Sequence, residues 1–303
     1  MKRGSMAGYV LALTAVFLWS QNILLAQGFK DRILPLEFAF GRWVIALMIL
    51  LPMGGRNVWW YRAYFWKKEM WLMGLALSGI VLTNTLIYVA ARTTDPVTIS
   101  LLNLPAPIFL ATLTAVFLKQ KIGIGGAVGM AIAVGGVLVI LMSGGDGTGP
   151  IEFKIGDIWM ILNALCFAVY SFLQTKRPTF ISQTTLLTAT VLMGVIMLTP
   201  AFFWFDWGHA RTLGVKEWGV LAFLGVFNSV LAYLAWNSAL TRIGPVKTGI
   251  IFYLQPVFSI LGAALFFRTG ISPAQIGGGA IIVLGIYLVG RFQGISQREL
   301  RKN

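Results

Sequence analysis

The sequence predicts an all-α integral membrane protein with ten transmembrane helices arranged as two inverted five-helix repeats. Three observations lead there. Apolar and aromatic residues make up 57% of the 303 residues and charged residues only 11%, whereas a soluble domain is roughly 45–50% apolar and about 25% charged. Mean hydropathy is +0.80, and apolar runs recur from Met6 to Phe292. The second half of the chain also repeats the first at a displacement of 149 residues. A water-soluble globule of this composition would expose large apolar patches. Ten spans of about 20 residues leave roughly ten per connection, too few for a separate soluble domain.

The helices follow from apolar windows and their punctuation. The first, near 6–27, comes after Met1-Lys2-Arg3, which resembles a signal-peptide start. Its apolar run ends near Gln27 without a small-residue cleavage pattern, so an uncleaved anchor is expected. The second, 35–53, opens on Pro35, where a missing N–H costs little. The third covers 69–91, the fourth opens on Pro96 and runs to 118, and the fifth covers 123–143. A glycine-rich stretch at 143–150 marks a flexible junction; no Gly-Lys-Ser/Thr follows it, so it is not a phosphate loop. The sixth, 155–175, contains Cys166, whose isolation excludes an internal disulfide and whose apolar setting reads as core packing. Pro178 precedes the seventh, 183–205, and the eighth is 215–239. Pro245 precedes the ninth, 247–267, and Pro273 opens the tenth, 273–292. The expected organisation is a first repeat over 1–145, a second over 150–295 and a cytoplasmic basic tail over 296–303.

Orientation comes from the 24 Lys and Arg residues, which outnumber the 10 Asp and Glu to give a net charge of +14. In a soluble protein that excess would suggest nucleic acid; in a multi-span chain it reports topology, and no nucleic-acid partner is expected. With the N-terminus inside, the inner segments hold 16 basic residues, including Lys2, Lys67, Lys68, Lys119, Lys121, Lys176, Arg177 and Arg242. The outer segments hold seven: Lys30, Arg32, Arg92, Lys154, Arg211, Lys216 and Arg268. This bias puts both termini in the cytoplasm of a multi-pass protein of the cell (inner) membrane.

Under the 149-residue displacement, 12 identities fall within 45 positions, including Pro96 with Pro245, Pro107 with Pro256, Gly129 with Gly278 and Gly136 with Gly285. Five helices per half is an odd number, so the second copy inserts upside down. Inverted repeats are a signature of alternating-access transporters, with the solute held near the midplane between the halves.

Several blocks carry a family likeness. They are Pro96 with Asn103-Leu104-Pro105-Ala106-Pro107-Ile108-Phe109, and Gly244-Pro245 with Tyr253-Leu254-Gln255-Pro256-Val257-Phe258. Phe38-Ala39-Phe40-Gly41-Arg42 and Ala232-Tyr233-Leu234-Ala235-Trp236-Asn237-Ser238-Ala239-Leu240 complete the set. Over nearly its whole length the chain resembles the EamA-type branch of the drug/metabolite transporter superfamily, and within it the aromatic amino-acid exporters of the YddG type. The resemblance implies efflux of Phe, Tyr, Trp and other neutral amino acids. It also implies a basket of helices around a central cavity, with the fifth and tenth helices outside. The first half departs from the second in having Asn103-Leu104-Pro105-Ala106-Pro107 in place of the Tyr-Leu-Gln-Pro form.

Polar side chains in hydrocarbon are expensive and usually face a bundle interior or a wet cavity. Helical spacing puts Trp19 with Asn22, Asn84 with Tyr88, and Asn163 with Phe167 and Tyr170 on common faces. Ser229, Tyr233, Trp236 and Asn237 form a fourth stripe, and Asn103, Tyr253 and Gln255 lie just before Pro107 and Pro256. As a converging set these residues line a solute cavity; singly, each amide serves equally well as interhelical glue of roughly 0.6 kcal/mol. Pro107 and Pro256 free carbonyls in mid-helix, either as hinges or as accommodated kinks. Arg42 is the single full charge well inside an expected span. It either binds a carboxylate or pairs with Glu37 and snorkels outward, and a gating or structural role is the expectation adopted.

The ten acids lie in loops or at helix ends, and the one histidine, His209, lies in an outer loop. Without a buried proton relay, transport that is driven by the solute gradient, or only weakly coupled, is expected. Clustered carboxylates or histidines for intramembrane enzyme chemistry are absent, so neither catalytic residues, a metal nor a cofactor is expected. An uncharged lining of amides and rings suits a small neutral or zwitterionic solute. Flat cationic drugs and nucleosides are the alternative cargo, and a non-transport membrane protein is the alternative class. Gly125 with Gly129 and the run Gly277-Gly278-Gly279 permit close helix contact, within the chain or in a homodimer, so both monomer and homodimer stay open.

Overall fold

The computed structural model describes residues 3–119, 123–142, 154–268 and 270–299. In chain order the helices are α1 (Arg3–Phe29), α2 (Pro35–Trp60), the short α3 (Arg62–Lys67), α4 (Glu69–Ala90), α5 (Pro96–Leu118) and α6 (Ile124–Met142). Then come α7 (Ile155–Thr175), α8 (Gln183–Phe205), the short α9 (Trp207–Ala210), α10 (Val215–Ile243), α11 (Pro245–Phe267) and α12 (Pro273–Glu299). No strand occurs among the described residues. Eight helices are long and apolar enough to cross a membrane, and α6 and α12 supply shorter apolar stretches, Ile124–Ile140 and Pro273–Leu288. The expected junction at 143–150, Lys2, Lys121 and the end of the tail at 300–303 lie outside the described residues.

Several helix ends differ from the expected ones for local reasons. α2 continues past 53 to Trp60 because Pro52 and Gly54 are absorbed within it. A Cβ on Gly54 would come 2.3 Å from Thr188 Oγ1, so the glycine there allows α8 to press against the helix. α10 runs on to Ile243, where Gly244 at φ 82 and Pro245 stop it. Trp59, Trp60 and Trp66 are exposed as interfacial residues should be. Trp71, by contrast, is half-buried and donates its indole N–H to Leu173 O at 3.1 Å, which ties α4 to α7.

Packing pairs the long helices of one half with those of the other. α1 packs on α10 and α11, α7 packs on α4 and α5, and α2 lies against α8. α6 and α12 run along each other through a glycine seam. A Cβ on Gly136 would fall 2.5 Å from Gly278 O, and one on Gly285 would fall 2.6 Å from Gly129 O. Each contact becomes the other under the 149-residue displacement. Without a hydrophobic drive between helices in lipid, close backbone approach supplies the dispersion that holds such a pair. α5 and α11 end alike, at Lys119 (φ 52) and Arg268 (φ 54), again 149 apart. Left-handed backbone costs a side-chain-bearing residue about 1–2 kcal/mol.

Replacing Gly136 or Gly285 by Leu should destabilise the protein by about 1–3 kcal/mol through overpacking. Gly135→Leu, where an added Cβ meets nothing within 4 Å, should not. Thermal unfolding of the three variants in detergent checks both outcomes.

Candidate functional site

The bundle centre is organised around a cation. Arg42 is fully buried on α2. Its Nε donates to Ser229 Oγ at 2.7 Å, and its Nη1 donates to Tyr88 OH at 2.7 Å and to Asn22 Oδ1 at 3.3 Å. Tyr88 in turn donates to Asn22 Oδ1 at 2.8 Å and stacks on Phe38, centroid to centroid at 4.6 Å. Helices α1, α2, α4 and α10 therefore meet at one guanidinium. Its Nη2 has no partner, and its carbon lies 5.2 Å from the Trp43 ring centroid.

Pairing with Glu37 does not occur. The Glu37 carboxylate accepts from Leu34 N at 2.7 Å and meets His209 Nδ1 at 2.7 Å. That contact is the one ion pair among the described residues. Nor does Arg42 snorkel, because its side chain is spent on neighbours at the bundle axis. A central arginine costs about 2.5–3.5 kcal/mol on insertion scales, and hydrogen bonds to charged groups return about 1.5–3 kcal/mol each. Three neutral acceptors are thus enough to hold the charge in place.

Two irregular windings aim the neighbouring groups. α4 is π-wound over Leu77–Leu82 and α10 over Leu224–Leu231. A π turn widens the helix and releases carbonyls from the regular ladder. In α4 the Gly79 carbonyl accepts from Tyr233 OH at 2.6 Å and from Asn84 Nδ2 at 3.0 Å, and Asn84 Nδ2 also reaches Tyr233 OH at 3.1 Å. Residue 79 must be glycine, since a Cβ would sit 2.1 Å from the Tyr170 ring. In α10 the Asn228 carbonyl accepts from Trp19 Nε1 at 3.2 Å, and the Asn228 amide donates back to Leu18 O. Asn163 donates to Thr83 O, just beyond the π turn.

Rings fill the space beside this network. Trp19 has Phe167 at 5.1 Å, Trp236 at 5.3 Å and Tyr233 at 5.4 Å between centroids, with Phe252 at 6.2 Å. Trp43 meets Tyr233 edge to face at 5.1 Å. Asn237 Nδ2 and Gln174 Nε2 donate to Tyr170 OH at 2.9 and 3.0 Å, and Trp236 Nε1 donates to Ser171 Oγ at 3.1 Å.

Asn103, Tyr253 and Gln255 form a separate group where α5 and α11 are interrupted. α5 breaks at Asn103–Leu104 and resumes at Pro105; α11 tightens into a 3-10 turn over Phe252–Leu254 and resumes at Gln255. Asn103 Nδ2 donates to Gln255 Oε1 across the interruptions at 3.2 Å, and Ser20 Oγ donates to Gln255 O at 3.3 Å. The interruption at Asn103–Leu104 lies four and three residues before Pro107, where a proline removes the regular helical hydrogen bond. Pro105 occupies the first position of the resumed helix, while Pro107 lies inside its first turn. Pro256 sits at the start of its segment.

Every candidate lining residue, from Trp19 to Gln255, is buried. The rings and amides close on one another, and described clefts of about 420 and 600 Å³ lie elsewhere. The larger is lined by Gln21, Leu24, Phe223 and Phe267. Sequence reasoning missed Phe38, Trp43 and Phe252 as neighbours of the site and left Arg42 outside the lining. The first two flank Arg42 in the Phe38–Trp43 block, which was the available signal. The acids are at helix ends, but Glu37, Asp157 and Asp206 are buried there rather than solvated. At that end of α2, burial and then the neighbouring Glu37 carboxylate push Asp206 above the usual carboxylate range. The Leu36 and Glu37 backbone amides and His209 pull the other way.

The model of the EamA-like transporter family matches residues 6–142 and 154–291. The chain belongs to that family. An EamA-like relative from Archaeoglobus fulgidus, described as an uncharacterized transporter, is 27% identical over 290 residues, covering 92% of this chain and 95% of that one. The transporter YyaM of Bacillus subtilis is 28% identical over 73% of this chain and 72% of its own. A probable terminal-alkyne amino-acid exporter of Streptantibioticus cattleyicolor is 28% identical over 64% of each chain. A solved crystal structure superposes with a TM-score of 0.72 at 18% identity, over 93% of this chain and 96% of that one. That likeness concerns the fold.

Tyr233→Phe removes one of the two donors to Gly79 O in the buried centre of this EamA-like bundle and should cost about 0.5–1.5 kcal/mol, read by thermal unfolding in detergent. Because the folded protein holds the Asp206 proton more firmly than the unfolded chain, ionising that carboxyl penalises the fold as pH rises. Asp206→Asn should therefore raise the melting temperature at neutral pH, and the gain should fade as acid protonates the wild type.

Proposed function

We propose that the chain exports small neutral or zwitterionic solutes, aromatic and other neutral amino acids foremost, by alternating access between two inverted five-span repeats. The observation that carries this reading is the ring cluster of Trp19, Phe167, Tyr233 and Trp236 set directly beside buried amides. Rings stack on a flat apolar group, and amides orient an amino-carboxylate head. The exporter from Streptantibioticus cattleyicolor, named for an amino-acid cargo, supports the same class.

The inverted arrangement is supported by contacts that the 149-residue displacement maps onto themselves or onto one another. Asn84 touches its own counterpart Tyr233, as residues on a two-fold axis do. The Gly136–Gly278 and Gly129–Gly285 contacts exchange with each other, as residues off the axis do. In this reading α6 and α12 complete the ten spans, the domains are 1–145 and 150–295, and both termini face the cytoplasm of the inner membrane. The thirteen lining residues, Trp19 to Gln255, sit in the closed conformation, and the interruptions before Pro107 and at Pro256 let the outer halves of α5 and α11 swing. A buried cation at Arg42 weighs against flat cationic drugs.

A counterflow panel in proteoliposomes, with labelled amino acids, nucleosides and cationic dyes, tests the reading. Exchange of phenylalanine or tryptophan in preference to the others is expected; preference for a dye or nucleoside overturns it. Tyr233→Ala and Asn237→Ala should each lower phenylalanine exchange at least about tenfold, the loss of about 1.4 kcal/mol, while leaving membrane insertion intact. Unchanged exchange in both removes the eighth-span stripe from the site.

A further inference from the structure

Resting on the reading of the bundle centre as the solute site, we infer that Arg42 is its specificity-determining residue. The guanidinium reads a carboxylate, so the solutes are carboxylate-bearing and free amines with the same ring are refused. The first ground is electrostatic. Arg42 is completely buried and carries a full charge, yet its Nε and Nη1 donors go to the neutral oxygens of Ser229, Tyr88 and Asn22. Among the described residues no carboxylate pairs with it. Buried charges in proteins are ordinarily paired, because neutral oxygens solvate the ion without cancelling its field. Glu37, one and a half turns earlier on α2, is not a spare counter-ion, since His209 and the Leu34 amide occupy it.

The second ground is geometric. Three hydrogen bonds fix the guanidinium fork and leave Nη2 as an unspent, fully buried donor. The indole N–H of Trp43, whose ring lies against the guanidinium, is a second buried donor without an acceptor. A carboxylate is the ligand that uses a preset planar fork best. Buried acceptors without donors are present as well, at Asn163 Oδ1 and Asn228 Oδ1, and an ammonium group needs acceptors of that kind. Trp43 meets Tyr233, and Tyr233 meets Trp19, so a solute anchored by its carboxylate at Arg42 has the ring cluster within one side chain's reach. The solute's carboxylate is the missing partner of the guanidinium, and its ammonium group falls to the unpaired amide oxygens.

The test uses four probes that share one ring: phenylalanine, phenylacetate, phenylalaninamide and phenethylamine. Purified wild-type protein is assayed for ligand-induced thermal stabilisation in detergent and for inhibition of phenylalanine counterflow in proteoliposomes. The two carboxylates should stabilise and compete, and the amide and the amine should do so at least about tenfold more weakly. Arg42→Gln should reduce that tenfold preference to near parity, and Arg42→Lys should restore part of it. If the glutamine variant does not fold, the wild-type series decides alone. An amide as effective as phenylalanine, or an intact acid preference in Arg42→Gln, overturns the assignment of Arg42. Phenylalanine inert while phenylacetate stabilises removes the amino-acid reading but keeps the carboxylate. Failure of every carboxylate to stabilise or compete removes both.

Discussion

Arg42 ties α1, α2, α4 and α10 together through Asn22, Tyr88 and Ser229, and much of the inner architecture serves to surround that charge with oxygens of the chain itself. In lipid a polar group has no fallback partner, so the Nε and Nη1 donors of Arg42 are met by oxygens of the protein itself. Removing one of the neutral acceptors would strand part of a charge, which is costlier than losing an ordinary hydrogen bond. The polar residues therefore cluster around one cation and around the carbonyls that the two π turns release. Beyond this cluster the bundle is packed by rings and by small residues.

The π windings reconcile two demands on the same helices. α4 and α10 must stay helical to cross the bilayer, yet each offers a carbonyl to a side chain from another helix: Gly79 O to Tyr233 and Asn228 O to Trp19. A widened turn meets both demands without breaking the span. α5 and α11 solve the problem differently, with true interruptions at Asn103–Leu104 and Phe252–Leu254 whose amides bond across to each other. Irregular backbone at membrane depth survives because protein, not lipid, surrounds it.

Much of this was legible in the sequence because membrane composition and helical period are strong signals. Asn84 with Tyr88, and Tyr233 with Trp236 and Asn237, are on shared faces, and those faces do turn inward. What stayed hidden depends on contacts between helices. Nothing in the spacing of Leu77–Leu82 announces a π turn, because the turn is held by Tyr233, 154 residues from Gly79. The separation of Asn103, Tyr253 and Gln255 from the ring cluster likewise follows from how α5 and α11 lean together. Arg42 was visible as a charge in a span, but its freedom from Glu37 depends on His209, which sequence alone leaves far away in a loop.

The glycine seam between α6 and α12 is built from matching positions of the two halves. Gly129 and Gly136 face Gly285 and Gly278, which are their own copies, so each half carries both sides of the seam it shares. An interface of that isologous kind is self-complementary. One pair of glycine positions per half therefore serves both sides of a single contact. The match between the halves stops short of the bundle centre, where Arg42 of one half has Val191 149 residues on in the other.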